Sequence, residues 1–192
     1  MSLSAANLRL ARTGDVPKME ALIASSGMAL SAGFYTPEQA AALVRHVFGV
    51  DSQLIADGTY FVIEDAGEIV ACGGWSKRRT LFGGDRAKAG PDPLLDPASE
   101  AARIRAFFVA PDMARLGLGR LLLEHCIAKA GAAGFAMLEL AATMPGVPFY
   151  LAYRFEPVEE FAIDLPGPVR VPLTRMRLRL DAAGAPAVKV ND

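Results

Sequence analysis

Residues 103–155 read RIRAFFVAPDMARLGLGRLLLEHCIAKAGAAGFAMLELAATMPGVPFYLAYRF, and their pattern decides the fold. The stretch opens on a run rich in Ile, Phe and Val, so residues 102–110 read as a strand. Pro111-Asp112 turns the chain. Arg115-Leu116-Gly117-Leu118-Gly119-Arg120 then leads into a helix over residues 117–133, which Gly134 ends. Residues 135–142 form a second strand and residues 145–153 a short helix. Alternating strand and helix signals point to a mixed domain rather than an all-helical or all-strand one.

Upstream, residues 7–12 alternate apolar and polar side chains as a short strand does. Thr13 or Asp15 can cap a helix that accepts Pro17 in its first turn and runs to about Ser25. Residues 27–33 are small and apolar and read as a loop. Thr36-Pro37-Glu38-Gln39 starts a second helix, with Ala41, Leu43, Val44, Val47 and Phe48 as its apolar stripe. Residues 59–64 and 68–77 are strands joined by a turn at Ala66-Gly67. Gly73-Gly74 implies a bulge or a close backbone approach in the second of them. The loop over residues 78–99 is long, which marks function or mobility.

Downstream, residues 156–165 and 169–180 are strands joined across Pro166-Gly167-Pro168. Val169, Val171 and Leu173 share one parity, and Met176, Leu178 and Leu180 the other. A change of parity predicts a bulge near Thr174 and Arg175. The order is strand, two helices, three strands, helix, strand, helix, two strands: a mixed α/β domain with one sheet flanked by helices. Residues 1–180 are expected to form a single domain, and residues 181–192 a frayed tail.

Composition limits the function. The chain has 192 residues, 52% hydrophobic and 21% charged, which suits a globular domain and excludes a disordered one. A net charge of −1 gives no general drive toward nucleic acid or an anionic membrane, and neither is expected as a partner. Cys72 and Cys126 lie in apolar runs and read as buried hydrophobes rather than a disulfide. His46 and His125 are the only histidines and no C-x-x-C is present, so no metal is expected. The first residues lack the features of a signal peptide, and no apolar run is long enough to span a bilayer. A cytoplasmic setting is the expectation.

The turn at residues 115–120 carries the chemistry. The first N–H groups of a helix lack intrahelical partners and sit at the positive end of its dipole. Gly117 and Gly119 remove side chains that would keep a phosphate from those groups, and Arg115 and Arg120 add charge. A pyrophosphate suits such a place. The dinucleotide fingerprint fails, because Leu122 stands where its third glycine belongs, and no Gly-Lys-Ser/Thr follows for a triphosphate loop.

This strand–turn–helix with R-L-G-L-G-R resembles the acyl-CoA motif of the GNAT acetyltransferases. Phe149-Tyr150 followed by Phe155, after a strand ending Leu138-Glu139-Leu140-Ala141, resembles the family's next motif. The element order from Asn7 to Leu180 is also similar to that fold, a central, mostly antiparallel sheet flanked by helices. The resemblance implies an N-acetyltransferase that takes acetyl-CoA as co-substrate, uses no metal, and acetylates an amine on a small molecule or peptide. Phe107, Phe108 and Val109 would line the pantetheine arm through their main chain, where the strand splays from its neighbour. The Val109 N–H would polarise the thioester carbonyl. The main chain of Arg115, Leu116, Gly117, Leu118, Gly119 and Arg120 would hold the pyrophosphate. Tyr150 would be the general acid, since a phenol can protonate a departing thiolate.

Three positions depart from the family pattern. Ala114 stands where Gln or Arg is common, Thr143 on the cofactor arm where Asn is common, and Arg154 where a Gly precedes the closing Phe. Glu139 is a candidate base acting through a water, its alternative being an exposed strand carboxylate. Met28, Phe34, Tyr35, Trp75 and Phe161 could line an aromatic acceptor cleft or simply pack. A non-catalytic acyl-CoA sensor on the same fold is the rival to the enzyme. The edge strands leave a homodimer open.

Overall fold

The computed structural model describes residues 6–88, 90, 92–181 and 184–187. The chain runs β1 (Asn7–Leu10), α1 (Val16–Ala29), α2 (Pro37–His46), α3 (Ser52–Ala56), β2 (Tyr60–Asp65), β3 (Glu68–Ser76) and β4 (Ala102–Val109). It continues through α4 (Leu118–Ala132), β5 (Met137–Thr143), α5 (Val147–Ala152), β6 (Glu156–Leu165) and β7 (Val169–Arg179). Every strand and helix expected from the sequence is present. The short α3 was not expected; Asp51 caps it by accepting from the Gln53 N–H at 3.1 Å.

The start of α2 follows its sequence signal. Thr36 accepts from the Gln39 N–H at 3.2 Å, and the Gln39 side chain accepts from the Thr36 N–H at 3.0 Å. α1 runs past the expected stop into the region read as a loop. Gly27 lies inside the helix, where a Cβ would come within 2.8 Å of the Phe48 ring, so its lack of a side chain serves packing rather than termination.

One sheet has the order β1-β2-β3-β4-β5-β7-β6. All neighbours are antiparallel except β4 and β5, so the sheet is mostly antiparallel as expected. α4 packs one face with Leu118, Leu122, Leu123, Cys126 and Ile127 in a core that includes Leu138, Leu140, Met176 and Leu178. Met19, Leu22 and Ile23 of α1 pack in a second core with Tyr60, Val62 and Cys72. Tyr35, Leu43 and Val47 cover Val171 in a third.

The bulge expected at Thr174 and Arg175 is absent. β7 pairs with β5 in unbroken register from Thr143↔Leu173 to Met137↔Arg179. The irregularity lies on β6, between Pro157 and Glu159. The expectation failed because it allowed β7 only one buried face. Val171 is buried in the third core, whereas Met176 and Leu178 are buried in the α4 core. The two ends of one regular strand are covered from opposite sides, so buried parity changes without an inserted residue.

At the chain's end Asp181 N–H donates to the Ala185 carbonyl, and Leu180 bridges to Pro186. The rest of the tail expected to fray, residues 182, 183 and 188–192, lies outside the described residues.

Candidate active site

Two features of β4 open a cleft. β4 pairs with β5 only at Ala102↔Leu138 and Arg103↔Glu139, and beyond these the strands form no further pairs. On its other edge β4 stays paired to β3, but Cys72 to Gly74 faces Phe108 to Arg105, one residue more on β4. That extra residue gives Ala106 a left-handed φ of 55°. The glycine pair in β3 answers it: a Cβ on Gly73 would lie 2.8 Å from the Phe107 ring, and one on Gly74 2.7 Å from the Thr59 carbonyl. The sequence expected a bulge or a close approach at these glycines; both occur, with the inserted residue on the partner strand.

The turn before α4 has the conformation an anion site needs. Arg115 and Gly117 both adopt positive φ, 65° and 86°. Such turns aim successive N–H groups into one concavity. Gly117 is the N-cap of α4, and among the described residues no side-chain cap hydrogen bond is made to the helix start. A Cβ on Gly117 would meet nothing within 4 Å, so the space beside it is open. Gly119 packs close to Phe149 and Val109, where a Cβ would sit 3.5 Å and 3.9 Å from them. Arg115 has no ion-pair partner among the described residues, whereas Arg120 pairs with Glu124 at 2.9 Å on the exposed surface. Exposed pairs of that kind contribute only about 0.3–0.5 kcal/mol and yield readily to a phosphate.

Tyr150 lies on α5 with its ring between Phe149, at 5.1 Å, and Phe155, at 5.5 Å. Gly146 makes room for it, since a Cβ there would be 3.3 Å from the Tyr150 ring. Burial, and then the neighbouring Cys126 thiol, raise the phenol well above its usual pKa. The hydroxyl therefore keeps its proton throughout the neutral range.

These parts meet in one cleft of about 810 Å³. Phe107, Phe108, Val109, Arg115, Gly117, Leu118, Gly119, Arg120, Thr143 and Tyr150 all line it. Leu116 and Glu139 do not. Leu116 is 40% exposed. Glu139 is buried, not the exposed strand carboxylate the sequence offered as its alternative, because Arg103 at 2.5 Å and Arg177 at 2.8 Å pair with it across the strands. Both its oxygens accept from guanidinium groups, which suits cross-strand pairing.

Of the five side chains considered for the acceptor side, Phe34 lines the cleft. Trp75 packs on Phe135 at 6.0 Å in the core, and Phe161 packs on Phe82 at 6.0 Å. Tyr35 is buried and ties three segments: its hydroxyl donates to the Pro172 carbonyl at 2.8 Å and accepts from the Met144 N–H at 2.9 Å. It thereby fixes the start of the turn that carries Tyr150. Met28 is exposed and lies outside the cleft lining.

Sequence reasoning missed a buried charge cluster at the cleft's edge. Arg105 lies 2.8 Å from Asp51, with both side chains essentially inaccessible. Lys88 from the 78–99 loop also pairs with Asp51, and Arg105 donates to the Gly83 carbonyl. The loop is further tied by the Gly84 N–H to Val47 at 2.9 Å and by Arg78 to Asp57 at 2.7 Å. The signal that could have found this was Arg105 itself, a second charge beside Arg103 in a strand whose other residues are all apolar.

The profile of the acetyltransferase (GNAT) family matches residues 30–154. The chain belongs to the GNAT acetyltransferase family. No curated protein matches it. Among solved structures, a GCN5-related N-acetyltransferase of Rhodopseudomonas palustris is 20% identical with a TM-score of 0.66, over 94% of this chain and 99% of that one. The yncA structure of Salmonella typhimurium, with its cofactor acetyl-CoA, is 17% identical with a TM-score of 0.59, over 97% and 100%. The PaiA N-acetyltransferase of Thermoplasma acidophilum, in complex with coenzyme A, is 12% identical with a TM-score of 0.59, over 92% and 99%. At these identities the likeness is one of fold. Among the described residues of this GNAT domain, no helix is long and apolar enough to cross a membrane, and no group of His, Cys, Asp or Glu could hold a metal.

Proposed function

We propose that this GNAT domain is an N-acetyltransferase that binds acetyl-CoA in the cleft and acetylates an amine. One observation carries it: an uncapped helix N terminus, reached through left-handed Arg115 and Gly117, opens on the same cleft as the proton-retaining Tyr150. Acetyl-CoA supplies the acetyl group as a thioester. The N–H groups of residues 115–120 hold the pyrophosphate, with the Arg115 guanidinium beside them. The main chain of Phe107, Phe108 and Val109, freed from β5 by the splay, aligns the pantetheine arm. The Val109 N–H donates to the carbonyl oxygen, where negative charge grows as the amine attacks. The amine nitrogen forms its bond to the carbonyl carbon as the carbon–sulfur bond breaks, and Tyr150 donates its proton to the sulfur. The proton lost by the amine returns to Tyr150 through solvent. No nucleophile on the protein is required. Burial raises Cys126 and holds it as a neutral thiol, so it is not one.

Tyr150→Phe keeps the ring and removes the proton. We expect kcat to fall by about one to three decades with acetyl-CoA affinity nearly unchanged. Release of free coenzyme A thiol, followed at saturating acetyl-CoA, reads this directly. An unchanged kcat under chemistry-limited turnover removes Tyr150 from the mechanism.

A further inference from the structure

Beyond the phosphate turn, β4 and the α5 region, the lining includes Leu30 and Phe34 between α1 and α2, Phe48 just past α2, Leu81 and Phe82 of the 78–99 loop, and Leu173 of β7, with the uncharged hydroxyls of Ser26 and Ser31 among them. Phe34 is 52% exposed, apolar surface left facing water inside a cleft. Among the described residues lining the whole cleft there is no Asp, Glu, Lys or His. The charged residues among the described lining are Arg105, Arg115 and Arg120. Arg105 is neutralised by Asp51, and its side chain is 1% exposed.

Such a wall sorts amines by charge. A hydrocarbon or aromatic body gains by leaving water against Leu30, Phe34 and Phe82. A second ammonium group on the acceptor would lose hydration with no carboxylate to pair it. The apolar surroundings also favour the neutral, reactive form of the attacking amine, which accounts for a cleft without a side-chain base. We propose that the acceptor is an apolar primary monoamine, its body packed on Leu30, Phe34 and Phe82, and that multiply cationic amines are rejected. This rests on the cleft being the site of acetyl transfer.

The test compares hexylamine, 2-phenylethylamine and 1,6-diaminohexane by kcat/KM at saturating acetyl-CoA, after acetyl-CoA binding is established by calorimetry. Both monoamines should exceed the diamine by about tenfold or more. Phe34→Glu, at an exposed position, should shift the hexylamine-to-diamine ratio toward the diamine by about tenfold, through KM. Phe34→Gln, without the charge, should weaken the monoamines and leave the diamine no better. Equal or better use of the diamine by the wild-type protein overturns the acceptor class and leaves acetyl transfer standing. A protein that binds acetyl-CoA but acetylates no amine overturns the transferase function, and this proposal with it.

Discussion

Among the described residues, four other than glycine hold positive φ: Ala66, Ala106, Arg115 and Arg154. Ala66 sits in the β2–β3 turn, where the local geometry demands it. Ala106 and Arg115 sit at the bulge and the phosphate turn, where strain is repaid by placing main-chain groups. Arg154 differs, because it follows α5 as its left-handed cap, with φ of 64° and the Phe155 N–H donating back to the Tyr150 carbonyl at 3.1 Å. Its side chain is exposed, so the strain serves no packing there. A left-handed non-glycine residue costs about 1–2 kcal/mol, and glycine's extra chain entropy offsets about 0.5–1 of that. Arg154→Gly should therefore stabilise the protein by about 0.5–1 kcal/mol, seen as a raised urea midpoint. A lowered midpoint would show that the arginine side chain contributes more than its backbone costs.

At the scale of elements, the proposed anion site is the N terminus of α4. Gly117→Glu puts a carboxylate into the open space beside the uncapped N–H groups. Acetyl-CoA affinity should fall by about a hundredfold or more in a variant that keeps its far-ultraviolet spectrum. Retained affinity would place the phosphate elsewhere. This turn was legible in the sequence because its chemistry is local, two glycines and two arginines at a strand-to-helix junction. The strand and helix pattern was legible for the same reason. Three features were not. α1 continues through Gly27 because Phe48, distant in sequence, needs the space. β7 changes its buried parity because different helices cover its two faces. Asp51 and Arg105 lie far apart in the sequence and meet only in the fold, so neither residue's neighbours in sequence announce the pair.

At the scale of the molecule, several buried groups keep their protons in the fold. Burial pushes Cys72 up to about 12 and raises Cys126, Tyr60 and Tyr150 as well. In the unfolded chain thiols lose their protons near pH 8.5 and phenols near 10. Their contribution to stability is thus complete below about pH 8.5, falls as pH rises, and for Cys72 is gone near pH 12. Each thiol should remove about 1.4 kcal/mol per pH unit once the unfolded chain is ionised. The urea midpoint should be clearly lower at pH 10 than at pH 8; equal midpoints would mean these groups are less buried than the core packing implies. The central claim, that the whole domain is organised around acetyl-CoA at the head of α4, is tested most directly by thermal unfolding with and without that ligand. At about one hundred times its Kd, acetyl-CoA should add roughly 2.7 kcal/mol, a rise in Tm of about 5–10 °C. NAD at the same concentration should leave Tm unchanged. No shift with millimolar acetyl-CoA would contradict the account, because the 115–120 turn would then not be a working phosphate cradle.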